Sequence, residues 1–164
     1  MKKILFIAIA LIAIQTSFAQ DQESTPGFSK GDTFVTGSFN YSDATKDFNL
    51  SASANTFITK SISVGAGYTR TQLGDIKTND VTVNVRNYYS AAKQFSVFGE
   101  LRGAKNLDGN ANVNIAINPG LNYFVSKNFS VETTLGLLSY DTDGGNYEFG
   151  TDFRNIQLGL NYRF

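Results

Sequence analysis

The last nine residues alternate strictly. Ile156, Leu158, Leu160, Tyr162 and Phe164 are apolar or aromatic, and Gln157, Gly159, Asn161 and Arg163 between them are not. A period of two places successive side chains on opposite faces of a strand. The same alternation recurs upstream and predicts strands near 33–42, 47–58, 61–73, 80–91, 95–106, 112–125, 128–141 and 151–164.

An internal repeat orders these strands. "FITKSISV" (57–64), "YSAAKQFSV" (89–97) and "FVSKNFSV" (124–131) each carry an aromatic, a Lys a few residues later, then an apolar residue, Ser and Val. Lys60, Lys93 and Lys127 are spaced 33 and 34 apart, which fits a unit of strand, tight turn, strand and longer loop. The lysines then mark tight turns at one end. The polar stretches 42–47, 74–80, 107–112 and 141–150 read as the longer loops at the other. Eight strands in such a meander let the last run antiparallel to the first and close the sheet without an edge.

The two faces choose the surroundings. One carries Val35, Phe39, Leu50, Val64, Tyr68, Val81, Val83, Val85, Val97, Leu101, Ile115, Leu121, Val131 and the apolar set of the last strand. The other carries small neutral residues such as Ser51, Ser53, Asn55, Asn84, Asn118 and Asn122, with a few charges of both signs in mid-strand: Arg86, Glu100, Arg102 and Glu132. A soluble barrel would show many charges outside and keep its apolar face as a core. Here the apolar face is too extensive for one small core, and the polar face suits a narrow lumen. This inversion is that of a barrel in lipid, where closure satisfies every backbone group. The expected fold class is an all-β, eight-stranded antiparallel up-and-down transmembrane β-barrel. Pro119, on the apolar face, must sit at a bulge or lose a ladder bond.

Two groups of charges follow from this topology. A hairpin centred on Lys93 places Arg86 opposite Glu100, both pointing inward, and Arg102 and Glu132 lie at similar depths. The four are expected to form one lumen charge network. Arg70, Lys105 and Arg154 instead share the outward parity and sit at the loop-side ends of their strands, at the level of lipid headgroups.

Composition adds the compartment. Lys2 and Lys3, an apolar run from Ile4 to Ile14 and Ser17-Phe18-Ala19 read as a signal peptide over residues 1–19, cut after Ala19, leaving 20–164 as one barrel domain. There is no Cys, so no disulfide staples the domain and no lipid is attached to one. Removing Lys2 and Lys3 from 14 basic residues leaves 12 against 14 acidic ones, so nothing in the charge suggests nucleic acid.

The exported start, the aromatic-terminated "LGLNYRF" and the eight alternating segments together resemble small outer-membrane β-barrels of the OmpA-transmembrane and OmpX type from Gram-negative bacteria. The resemblance spans the chain from residue 20 on. It implies the cell outer membrane as location and a monomeric barrel. It also implies that Leu160, Tyr162 and Phe164 form the C-terminal signal read by the outer-membrane assembly machinery. The rim cations Arg70, Lys105 and Arg154 would then meet outer-membrane lipid and the phosphates of lipopolysaccharide; the alternative is that they sit there only because a charge costs little at that level. Unlike full-length OmpA proteins, no peptidoglycan-binding domain is expected after the last strand, so cell-wall anchoring is not implied.

Chemistry is sparse. The chain contains no His, whereas lipid-modifying barrel enzymes rely on His with Ser and an acidic residue. No enzymatic activity and no cofactor are expected. "DTDGGNYEFGTD" offers Asp141, Asp143 and Asp152 at calcium-loop spacing. Gly145 stands where an oxygen ligand is wanted and Asn146 where the turn Gly is wanted, so a hairpin loop is the expected reading. The expected role is structural or surface-interacting. The alternative is a small porin-like channel, against which stands an eight-strand interior just wide enough for side chains.

Overall fold

The computed structural model describes residues 28–42, 47–108, 113–142, 145–150 and 156–164. The expected signal segment 1–19 and Arg154 lie outside them, as do Asp143 and Asp152. The elements are β1 (Thr33–Ser42), β2 (Asp47–Phe57), β3 (Ile62–Leu73), β4 (Ile76–Ala92), β5 (Phe95–Asn106), β6 (Val113–Phe124), β7 (Phe129–Thr134), β8 (Leu138–Asp141), β9 (Asn146–Phe149) and β10 (Gln157–Arg163). No helix occurs among the described residues.

Each strand from β1 to β6 pairs antiparallel with the next. β7 and β8 both pair with β6 and together make the seventh wall position. β10 pairs with β7, and β9 with β8, making the eighth. β10 also pairs with β1, from Phe34 opposite Arg163 to Ser38 opposite Gly159, and so closes the sheet. Phe164 N donates to Thr33 O at 3.0 Å, so the last residue and the start of the first strand share a bond. The fold is a closed eight-stranded antiparallel barrel.

The repeat lysines fall in the connections at the end of the barrel that holds these terminal strand ends, called here the terminus end. Lys60 lies between β2 and β3, Lys93 between β4 and β5, and Lys127 between β6 and β7. Two of these turns use one device, a hydroxyl that holds the returning backbone. Thr59 Oγ1 accepts from Ile62 N at 2.9 Å and Ser61 N at 3.2 Å. Ser126 Oγ accepts from Phe129 N at 3.2 Å and Asn128 N at 3.4 Å.

Three segments differ from the pattern read in the sequence. The stretch 74–80 is mostly strand: Leu73 pairs with Ile76, and only Gly74 and Asp75 turn, with Gly74 at φ 59°, a conformation that favours glycine. Its polar residues belong to the far end of β4, beyond the apolar band. The segment 128–141 is broken. Gly120 faces Thr134 and Ile117 faces Leu138, so residues 135–137 stand against only Asn118 and Pro119. Pro119 O accepts from Leu135 N at 2.9 Å, and a strand residue's N and O point to the same neighbour. The N–H that proline lacks would therefore face this segment, and the extra residue forms the bulge there. The bulge aligns Leu138 and Tyr140 with Ile117 and Ile115 on the outer face. Lastly, β9 occupies part of the expected loop 141–150; residues 151–155 of the expected last strand lie outside the described residues.

The faces sort as the alternation predicts. Val35, Leu50, Val81, Val83, Leu101, Leu121, Leu158 and Leu160 are exposed on the outside, Val83 and Leu158 by 63%. Thr36, Asn55, Ser63, Asn84, Asn118, Asn122 and Asn161 are buried inside.

Candidate functional site

The lumen is layered along β4 and β5. From the terminus end, past the ladder pair Ser90 and Ser96, come Tyr88 and Phe98, then Arg86 and Glu100, then Asn84 and Arg102, then Thr82 and Ala104. All point inward by parity.

The first layer is aromatic. Phe34, Phe57, Tyr88, Phe98 and Phe124 come from inward positions of five strands, and Phe28 is supplied by the segment before β1. Phe28 stacks on Phe57 at 4.3 Å between ring centroids and touches Phe124 at 4.9 Å, Tyr88 at 5.1 Å and Phe34 at 5.5 Å. Gly120 makes room for this layer: a Cβ there would lie 2.2 Å from the Phe98 ring. The repeat marked Phe57 and Phe124 as its aromatics, but none of these rings was expected in the lumen. The signal was parity, since Phe57 continues the row Ser51, Ser53, Asn55, but a strand-end aromatic is equally at home in a lipid-facing belt.

The second layer is charged. Arg86 Nε donates to Glu100 Oε2 at 2.7 Å, and Arg86 Nη1 donates to Glu132 Oε2 at 3.1 Å. All three residues are 95% buried or more. Asn118 Nδ2 donates to Glu100 Oε1 at 2.9 Å, and Asn161 Nδ2 donates to Glu132 Oε2 at 2.8 Å. Buried charges persist only when paired and hydrogen-bonded, and here one guanidinium serves two carboxylates that two amides also hold. The Arg86 guanidinium lies 5.0 Å from the centroid of the Phe98 ring and donates to Tyr88 Oη at 3.4 Å, joining the two layers. Of the four expected lumen charges, the structure thus brings Arg86, Glu100 and Glu132 into direct contact. Arg102 stands one step further along, lining the same cavity, with no ion pair among the described residues and no partner for Nε.

The third level is a polar cavity of about 50 Å³, lined by Arg102, Asn84, Arg86, Glu132 and hydroxyls that include Ser38, Ser51, Ser53 and Thr82. At ~10–15 Å³ for one water, it has room for a few waters.

On the outer wall, Arg70 is exposed on β3 opposite Leu50 and Asn79, and Lys105 is exposed on β5 opposite Val81 and Val113. Lys77, read from the sequence as a loop residue, is exposed on the same outward parity. Leu160, Tyr162 and Phe164 are exposed on the outward face of the last strand, with Tyr162 and Phe164 in edge contact at 5.2 Å. No group of metal-ligating side chains occurs among the described residues.

No family model matches this chain, and no curated protein matches its sequence. Its fold matches solved barrels at low identity. A de novo designed transmembrane β-barrel superposes with a TM-score of 0.60 at 14% identity, covering 83% of this chain and 98% of that one. The N-terminal β-barrel domain of Pseudomonas aeruginosa OprF gives 0.58 at 14% identity, with 84% and 99% covered. The Yersinia pestis outer membrane protein Ail gives 0.53 at 14% identity, with 82% and 99% covered. The likeness is one of fold: an eight-stranded transmembrane β-barrel.

Proposed function

We propose that this protein is a non-enzymatic barrel of a bacterial outer membrane, exported by its N-terminal segment, with a structural or surface-interaction role. One observation carries the reading: the wall is inverted. Side chains such as Val83 and Leu158 are exposed outside, while Arg86, Glu100 and Glu132 are buried inside. Water would reward the opposite arrangement, and lipid rewards this one. One neighbour of the same fold, Ail, is an outer membrane protein, which supports the location.

Within this reading the lumen is closed at its terminus end by the ring layer, so the protein acts through its surface. Arg70 and Lys105 meet lipopolysaccharide phosphates at the outer rim. Leu160, Tyr162 and Phe164 present the assembly signal. Planar-bilayer recording separates this from a constitutive channel: the sealed barrel inserts without steady conductance, and stable ion-selective openings of the wild type contradict it. Deleting Phe164 tests the assembly role. The expected outcome is slower insertion and periplasmic proteolysis, and wild-type levels of heat-modifiable barrel in the outer membrane contradict it.

A further inference from the structure

We propose that the segment Phe28–Asp32 is a built-in stopper. It closes the terminus end of a latent polar track through the lumen, and its withdrawal lets water and small inorganic ions pass. The inference rests on the barrel spanning a bilayer as argued above, and adds a conditional activity to a lumen that is otherwise sealed.

The first observation is the place of Phe28. It is the one ring of the aromatic layer that no strand carries, so it can leave without unpairing the barrel. It also bridges the lumen. Among the described residues, Phe28 is the only ring in contact with Phe124 on β6, and it joins that ring to Phe57 and Tyr88 on the opposite wall. Without it, a gap opens beside Phe124.

The second observation is the track itself. A cleft of about 10 Å³ already runs beside Phe28 at the mouth, bordered by Lys127, Asn128, Ser130 and Asn161. Asn161 Nδ2 reaches Ser130 Oγ at 3.2 Å, Asn122 Oδ1 at 3.1 Å and Glu132 Oε2 at 2.8 Å. Glu132 in turn lines the polar cavity that holds Arg102 and Asn84. Polar groups therefore run without a break from the mouth to the cavity along the β6, β7 and β10 side. Buried atoms without a partner lie on this path: Asn122 Nδ2, Arg102 Nε and Asn84 Oδ1. Native proteins rarely leave such atoms unsatisfied unless water reaches them.

The third observation is how the stopper is held. Gly31 N donates to Phe57 O at 2.8 Å, and Phe57 N donates to Asp32 O at 2.9 Å. The carboxylate of Asp32 accepts from Arg163 Nη1 at 3.1 Å, a pair that is partly exposed. A few bonds and one ring hold the segment, against a full ladder for every strand, so local release without global unfolding is the expected order of events.

The test is ion flux through the full barrel in planar bilayers bathed in potassium chloride, with heat-modifiability as the check on folding. Wild type is expected to be silent, Phe28→Ala to show sustained openings, and Phe28→Leu, which refills the gap, to be silent again. Asp32→Asn keeps every ring and weakens the bonds its carboxylate accepts from Arg163 Nη1 and Ser29 N, so it should show brief openings. A folded, inserted Phe28→Ala barrel as silent as the wild type overturns the proposal. If Phe28→Ala does not fold, Asp32→Asn decides alone, and its silence overturns it equally. A wild-type protein that never inserts overturns the membrane reading, and this proposal with it.

Discussion

At the terminus end of the lumen, six rings fill the barrel. Two residues further along β4 and β5, Arg86 crosses the lumen to pair with Glu100 and with Glu132 on β7. Both layers are almost inaccessible, yet they depend on different things. The rings contribute by volume and apolar contact, which is non-directional and adapts to a change of shape. The charges contribute only through directed bonds, and each is costly as soon as its partner is removed. The aromatic layer should therefore tolerate substitutions that keep volume, and the charged layer should tolerate only those that keep charge balance.

Substitutions in each layer and at the rim sharpen this contrast. Arg86→Ala strands Glu100 and Glu132 together and should have the largest effect, ~3–5 kcal/mol in urea unfolding of the lipid-reconstituted barrel. Glu100→Ala should cost nearly as much. The double change Arg86→Ala with Glu100→Ala should cost clearly less than the two singles added, because it removes partners together. Independent, harmless single changes would abolish the network. In the ring layer, Phe57→Ala should cost ~3 kcal/mol through the cavity it leaves, whereas Phe57→Leu should cost under ~1.5 kcal/mol. If Phe57→Leu proves as damaging as Arg86→Ala, the layers do not differ in kind. The smallest effect belongs to the outer rim. Arg70→Gln with Lys105→Gln should change stability by only ~0–1 kcal/mol, as for cations near an interface, while reducing the lipopolysaccharide that co-purifies. Unchanged co-purification removes the phosphate contact from the account.

The same contrast explains what could be read from the chain. Arg86 and Glu100 were legible because a charge in mid-strand is rare and parity gives it one face; the turn at Lys93 then set their register, which the structure shows as direct partners. The ring layer was not legible by chemistry. Phe57 inside and Tyr89 on the exposed outer face look alike in composition, and only parity separates them. Arg102 had the right parity and neighbourhood, but which cation Glu100 and Glu132 bond is decided by three-dimensional distances among three strands. The extension of β4 to Ile76 was hidden by Lys77, Thr78 and Asn79, polar residues that fit a loop as well as a strand end lying beyond an apolar band. The break between β7 and β8 was signalled by Pro119, yet proline on one strand does not say which residue of its neighbour bulges.

The central claim is that the apolar face looks at lipid. Because the chain has no Cys, a single Cys introduced at Val83 on β4, or at Leu158 across the barrel on β10, carries one fluorophore. Both positions are exposed on the outer wall. The account predicts that each label, in reconstituted vesicles, is quenched by lipids brominated in mid-chain and is insensitive to iodide in the water. Quenching by iodide with no effect of the brominated lipid would place the same face in water and contradict the account.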